Sequence, residues 1–304
     1  VKKRGSLAVS LVILLVFAYF LYEYDVFPKL EEIFRRLSLK FVALSLLFYA
    51  STYFFRAKRF EVLFPFIGTL DLAAVMAVHT FFNNVLPFRS GEASFPIILK
   101  KLFGVEVSSS SAALTVVRFL DLISLSLLFL VSVFAVSITG RRELIVIPLA
   151  ALTLLFLLLC LLYKLVKKLS GRFSFFAGVF TFISGFVSAR KVAALFFYSL
   201  LTWLFKFLSF FFILRAGGIE LNYFQTVFVS TFAELTTVLP VHSFAGFGTF
   251  EAGLVGGFAL LGVKGSYALT VAFYFHLLLL LMSALLALTG WVYLSRRLRS
   301  RVSS

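Results

Sequence analysis

The chain has 304 residues, 62% of them hydrophobic, 18% aromatic and only 14% charged, with 42 Phe and a net charge of +16. A mean hydropathy of +1.06 is far from that of a soluble domain and indicates a polytopic membrane protein. The basic residues fall in short segments between apolar runs, where they read as topology signals and anionic-lipid contacts, so no nucleic-acid partner is expected.

In chain order, the first apolar run is Leu7–Tyr22. It follows Lys2, Lys3 and Arg4, and no small-residue cleavage site comes after it, so an uncleaved first span is expected. Leu39–Phe55 is the second run. Asp71–Gly104 is apolar but interrupted by "NNVLPFRSGE" at 83–92. As helices, Leu72–Leu86 would rise roughly 22 Å and Ser94–Phe103 roughly 15 Å. Neither comfortably crosses a hydrocarbon core of about 30 Å, so two short helices meeting at a break predict a re-entrant hairpin. Ala112–Ile138, Leu144–Tyr163 and Val192–Leu214 follow as spans. Tyr223–Gly262 is a second interrupted region, and Tyr267–Leu294 is the last span. Many of these runs are rich in Val, Ile and Phe, but a helix satisfies its own backbone in lipid and the alternation of barrel strands is absent. The expected fold is an all-α polytopic membrane protein with about six transmembrane helices and two re-entrant helical hairpins.

Charge tests that arrangement. With the N-terminus inside, inside segments carry 18 Lys/Arg and outside segments 8, as the positive-inside rule demands. Both termini are then cytoplasmic. The first hairpin enters from inside and the second from outside.

The two interrupted regions also resemble each other. The first reads "VLPFRSGEASFPIILKKLFGV", then "ALTVVRFLDL"; the second reads "VLPVHSFAGFGTFEAGLVGGFALLGV", then "ALTVAFYFHL". Valine-leucine-proline, a glycine-bearing break, Glu, a short apolar helix, Gly-Val and Ala-Leu-Thr-Val recur in order. This predicts a single membrane domain over 1–304 made of two pseudo-repeats, 1–140 and 141–304, of opposite orientation. Inverted repeats with broken helices near mid-depth are a transporter architecture. Irregular polar backbone is tolerated there because it lines a protein cavity.

Glu92 and Glu251 occupy matching places after their breaks. A charge at the centre of a span costs about 2.5–3.5 kcal/mol, so such a group pairs, takes a proton or binds substrate. A carboxylate at the start of a short helix also suits the helix dipole, and capping can coexist with function. Arg89 offers a fork to a phosphate or carboxylate, or an internal ion pair with Glu92. Arg118 and Asp121 share a helix face at i, i+3, which fits a structural salt bridge as well as a substrate or gating role. Lys206 lies inside a span and either snorkels or faces inward. Asn83, Asn84, Ser243, Gly246 and Gly248 supply donors or close backbone approach around the breaks. Pro87 and Pro240 end the entering helices, and Gly91 sits in the first break. Glu92→Gln is expected to damage more than Glu251→Gln, because Arg89 and Arg118 would lose a buried partner.

His79, His242 and His276 show no metal spacing; His79 and His276 are expected to be packed or bonded within spans, leaving His242 at the second tip. Cys160, the only cysteine, reads as a small apolar residue. Enzyme signatures such as a P-loop, G-x-S-x-G or H-E-x-x-H are missing, so neither catalytic residues, a metal nor a cofactor is expected.

At "NNVLPFRSGEASFPIILKKLFGV…ALTVVRFLDL" the chain resembles the lysylphosphatidylglycerol synthase transmembrane-region family of flippase-like integral membrane domains. Asn84, Pro87, Arg89, Gly91, Glu92, Arg118 and Asp121 fall on that family's first motif. Pro240, Ser243, Gly246, Gly248 and Glu251 fall on its second, with Phe244-Ala245-Gly246 where Pro-Gly-Gly is usual. The resemblance implies a stand-alone member without the aminoacyl transferase domain. It also implies membrane-lipid partners with anionic or lipid-linked glycan headgroups, with a homo-oligomer or a separate lipid-modifying enzyme as further partners. The expected function is translocation of a lipid or lipid-linked headgroup across the cytoplasmic membrane. Alternatives are a proton- or ion-coupled carrier of a small solute, and a non-transporting subunit of a lipid-modifying enzyme.

Overall fold

Backbone groups in hydrocarbon have no water to bond, so a chain this apolar closes its hydrogen bonds within helices. The computed structural model describes residues 2–136, 143–186, 188–238, 243–263 and 265–302. Its helices are α1 (Lys2–Glu23), α2 (Val26–Arg35), α3 (Leu39–Leu63), α4 (Thr69–Val85), α5 (Ser94–Phe103), α6 (Val107–Ala135), α7 (Glu143–Ser170), α8 (Ser174–Phe186), α9 (Ala189–Ala216), α10 (Tyr223–Val238), α11 (Thr249–Leu260) and α12 (Ser266–Val302). Two 3-10 segments, Pro87–Ala93 and Phe244–Gly246, interrupt α4–α5 and α10–α11, at the breaks expected from the sequence. Among the described residues there is no strand.

Three helices, α6, α9 and α12, are long and apolar enough to cross a membrane, and α1 and α2 form an apolar pair bent by 74°. The exposed surface is apolar at helical spacing. Leu154, Leu157 and Leu161 form such a stripe on α7, and Leu281, Leu285 and Leu288 form another on α12. On helix α6 Asp121, Ser124 and Ser132 are buried beside Val117, Leu125 and Phe129, while the exposed Leu127, Val131 and Phe134 are apolar. An exposed apolar face of this kind suits a lipid surround.

Two helices correct the sequence reading, which left their residues in connecting segments. Helix α2 is short and amphipathic, burying Val26 and Leu30 and pairing Glu31 with Arg35 and Glu32 with Arg36 at 2.6 and 2.9 Å on its outer face. Helix α8 is apolar throughout, but at 13 residues it rises only about 20 Å, too little to register as a span. It packs against α6 and α7, with Gly178 set against Ser108 where a Cβ would lie 2.5 Å from the hydroxyl.

The chain divides into two compact units. The first comprises 1–50, 77–92 and 205–289. Small and hydroxylated residues hold it together, as is usual where apolar burial drives little association. Ser45 donates to the Ser209 carbonyl at 2.9 Å, joining α3 to α9. Phe48 rests on Phe205 and Phe212, with ring centroids 5.7 and 5.4 Å apart. Helix α11 lies on α10 through Gly253 and Gly257. A Cβ at Gly253 would stand 2.6 Å from the Ala233 Cα, and one at Gly257 would stand 2.8 Å from the Val229 Cα. One numbering rises as the other falls, so the two helices run antiparallel, as arms of a hairpin must. The second unit, 51–76, 93–204 and 290–304, is built on α6, which packs against α5, α7 and α8. Phe60 on α3 meets Phe95 on α5 at 4.5 Å, and Phe64 meets Phe182 on α8 at 5.8 Å.

Candidate functional site

In the first unit the second break builds its own polar centre. Ser243 donates its hydroxyl to the Phe247 carbonyl, tying the turn across five residues. Ala245, Gly246 and Gly248 all take positive φ, at 52°, 75° and 84°. The glycines adopt that conformation freely, whereas Ala245 does so against its Cβ. The turn delivers the Gly248 N–H to Glu251, which accepts it on Oε2 at 2.7 Å. The helix-start role expected of Glu251 is therefore present. Its other oxygen, Oε1, lies 2.7 Å from Nδ1 of His276 on α12. Glu251 is fully buried and His276 nearly so. The imidazole sits against Phe250 and Phe247, with ring centroids at 4.4 and 5.1 Å.

A groove of about 500 Å³ has Glu251 among its lining residues. Val12, Val16 and Phe20 of α1 form one wall, Val255 of α11 and Leu269 of α12 the other, and Glu251 is its acidic member. Its size falls within the roughly 300–1,000 Å³ of small-molecule pockets.

Two further pairs lie in this unit. Lys206 on α9 faces inward, and its Nζ meets Glu234 on α10 at 2.7 Å and the Phe210 ring at 5.4 Å. His79 Nε2 stands 3.8 Å from Glu92 Oε2. Asn84 Nδ2 reaches Ser283 Oγ at 3.4 Å. Gly91 is required by close approach, since a Cβ there would lie 2.4 Å from the Phe82 and Asn83 backbone. Pro87 opens the first 3-10 segment. The Arg89 and Cys160 side chains, and Pro240 and His242 altogether, lie outside the described residues.

The second unit carries a basic cluster on one carboxylate. Asp121 Oδ1 accepts from Arg59 Nη1 at 2.5 Å and from Trp203 Nε1 at 3.2 Å. Arg59 also donates to Ser199 at 2.9 Å. Arg59 is among the largest fully buried side chains. Arg56 and Arg118 are close enough to act on it through like-charge repulsion. The sequence offered Arg118 to Asp121 as a salt-bridge partner or as a substrate or gating residue; the guanidinium of Arg59, far away in sequence, also bonds Asp121. Asp71 in α4 pairs with Arg297 of α12.

The structure thus brings Gly248, Glu251 and Ser243 together around one break, and holds Asp121 in a separate unit. Sequence reasoning missed Arg59, Trp203, Glu234 and the role of His276. Arg59 was counted as a topology charge, although its spacing of three from Arg56 puts both on one helix face. The signal for His276 was legible, for it stands eight residues past Ala268 of "ALTV", as Asp121 stands eight past Ala113.

No group of three or more His, Cys, Asp or Glu that could hold a metal occurs among the described residues. No curated protein matches the chain. Residues 6–287 match the family described as Lysylphosphatidylglycerol synthase TM region. With its apolar helices and nearly the whole length matched, the chain is a multi-pass membrane protein that belongs to the lysylphosphatidylglycerol synthase transmembrane-region family.

Proposed function

We propose that the protein translocates a lipid or lipid-linked headgroup across the cytoplasmic membrane, as a transporter and not as an enzyme. The observation that carries this reading is the groove between α1, α11 and α12, lined by apolar side chains with the buried Glu251 among them. Such a groove suits an amphiphile, a hydrocarbon chain beside a polar group, better than a small soluble solute, which asks for polar walls. The family supports the same reading. Asn84, Arg89, Glu92, Ser243 and Glu251 of the first unit are proposed headgroup contacts, and Arg118 and Asp121 of the second are proposed separately as headgroup contacts of their own. The acyl chains stay beside the exposed Phe and Leu faces.

The proposed arrangement is six spans and two re-entrant hairpins with both termini inside. Element order supports the two pseudo-repeats. Helices α1 to α6 run long, short, long, broken pair, long, and α7 to α12 repeat that order. The preceding short helices α2 and α8, absent from the sequence reading, fall at equivalent places in the two series. A second copy or a separate lipid-modifying enzyme is the proposed partner class besides lipid.

Native mass spectrometry of the purified protein tests the groove. Val255→Trp fills it from α11 while leaving Glu251 itself unchanged. The wild type should carry bound phospholipid that the variant loses. An unchanged lipid complement would remove the groove from the account.

A further inference from the structure

The equivalent positions of the two "ALTV" helices hold different chemistry. In α6 the position is Asp121, bonded to a guanidinium, and an arginine does not release its proton in the physiological range. In α12 it is His276, bonded to Glu251, and imidazole is the side chain that changes charge between about pH 5 and 8. One carboxylate thus faces a guanidinium and the other an imidazole.

We propose that Glu251 and His276 form a one-proton site that loads and releases its proton as the groove cycles, coupling lipid movement to the proton gradient. The coupling rests on the translocation reading above. With one proton shared between Oε1 and Nδ1 the pair is neutral overall, whether written as acid and imidazole or as carboxylate and imidazolium. Release of that proton to water leaves net charge −1 at a fully buried position, with the Gly248 N–H and the Nδ1–H tautomer of His276 as its donors. An isolated buried anion is costly, so the empty apolar groove favours the loaded state. A hydrogen-bond donor arriving along the groove compensates the anion and favours release. Loading and occupancy therefore oppose each other, which is the condition for exchange.

Among the described residues, several ionisable groups on the surrounding elements have partners of their own. Tyr24 of α1 lies at the groove edge. Lys29 of α2 bonds the Tyr24 carbonyl and Ser266. Glu31, Glu32, Arg35 and Arg36 pair along the outer face of α2. Lys206 and Glu234 of α9 and α10 hold each other, and His79 of α4 faces Glu92. Tyr274 of α12 donates to the Ile213 carbonyl.

Infrared difference titration of the full chain in phosphatidylcholine vesicles, between about pH 5 and 8, reads the site without any lipid movement. A protonated-carboxyl or imidazolium signal should appear on acidification, vanish in Glu251→Gln and change in His276→Gln. Should either variant fail to fold, ring-labelled histidine in the wild type, read by solid-state NMR, reports the same event. No titrating carboxyl or imidazole signal at this pair in that range would overturn the site. The coupling is read with fluorescent phosphatidylglycerol in vesicles bearing a pH gradient. One proton per lipid shifts the steady-state leaflet ratio by up to about tenfold per pH unit, and His276→Gln should abolish the shift. Lipid that moves with no response to the gradient overturns the coupling. Lipid that never moves overturns the translocation reading instead, and the titration then decides the proton site by itself.

Discussion

Asp121 holds a buried guanidinium, and removing its charge exposes what that pairing contributes. Asp121→Asn keeps the size and an acceptor for Trp203 but leaves Arg59 uncompensated. The expected cost is about 3–5 kcal/mol, read as a large fall in thermal midpoint in detergent. Arg59→Met with Asp121→Leu should recover most of it, because no unpaired charge is left; a double variant no more stable than Asp121→Asn would contradict the pairing. Glu251 is bonded on both oxygens and is one of the groove's lining residues, so Glu251→Gln is expected to impair transport strongly with the protein still folded. The order expected from the sequence, with Glu92→Gln the more damaging, is tested by comparing the two variants side by side. Equal transport by both variants and wild type would reduce the two residues to structural parts. Sequence singled out Glu251 and Asp121 because a carboxylate in apolar text is costly in lipid, and both are buried. Their partners could not be read, since Arg59 and Asp121 are 62 residues apart and nothing local pairs them.

At the scale of elements, the α10–α11 hairpin rests on glycine. Gly253→Leu drives a side chain into the Ala233 backbone, and overpacking of this kind costs typically about 1–3 kcal/mol. Gly256, which has nothing near its Cβ position, is the control. Gly256→Ala should leave thermal stability unchanged or slightly raised while Gly253→Leu lowers it, and the reverse order would mean that the arms do not pack as described. Both breaks were legible because Pro87 and the glycines interrupt otherwise continuous apolar text. The short helices were not. Helix α2 hides among charges that read as an outside segment, and α8 is too short to register as a span. Their helicity is fixed by packing, Val26 and Leu30 inward in one, Gly178 against Ser108 in the other.

For the whole molecule, orientation is the prediction that follows from the distribution of Lys and Arg along the chain. In a Cys160→Ser background, Lys101→Cys at the end of α5 and Glu220→Cys ahead of α10 are both exposed. An impermeant maleimide should label Glu220→Cys from outside and Lys101→Cys only after permeabilisation. Labelling of both from one side would remove the inverted arrangement. The membrane class was readable from hydropathy alone, while the two compact units were not, because their segments interleave along the chain. The central claim is translocation, and it is tested most directly by dithionite bleaching of headgroup-labelled fluorescent phosphatidylglycerol in vesicles holding the purified protein. Wild-type vesicles should bleach nearly to completion as inner-leaflet lipid is brought out, and Glu251→Gln vesicles should stop at the outer-leaflet fraction. Wild-type vesicles that also stop at that fraction, with folded protein in them, would contradict the account.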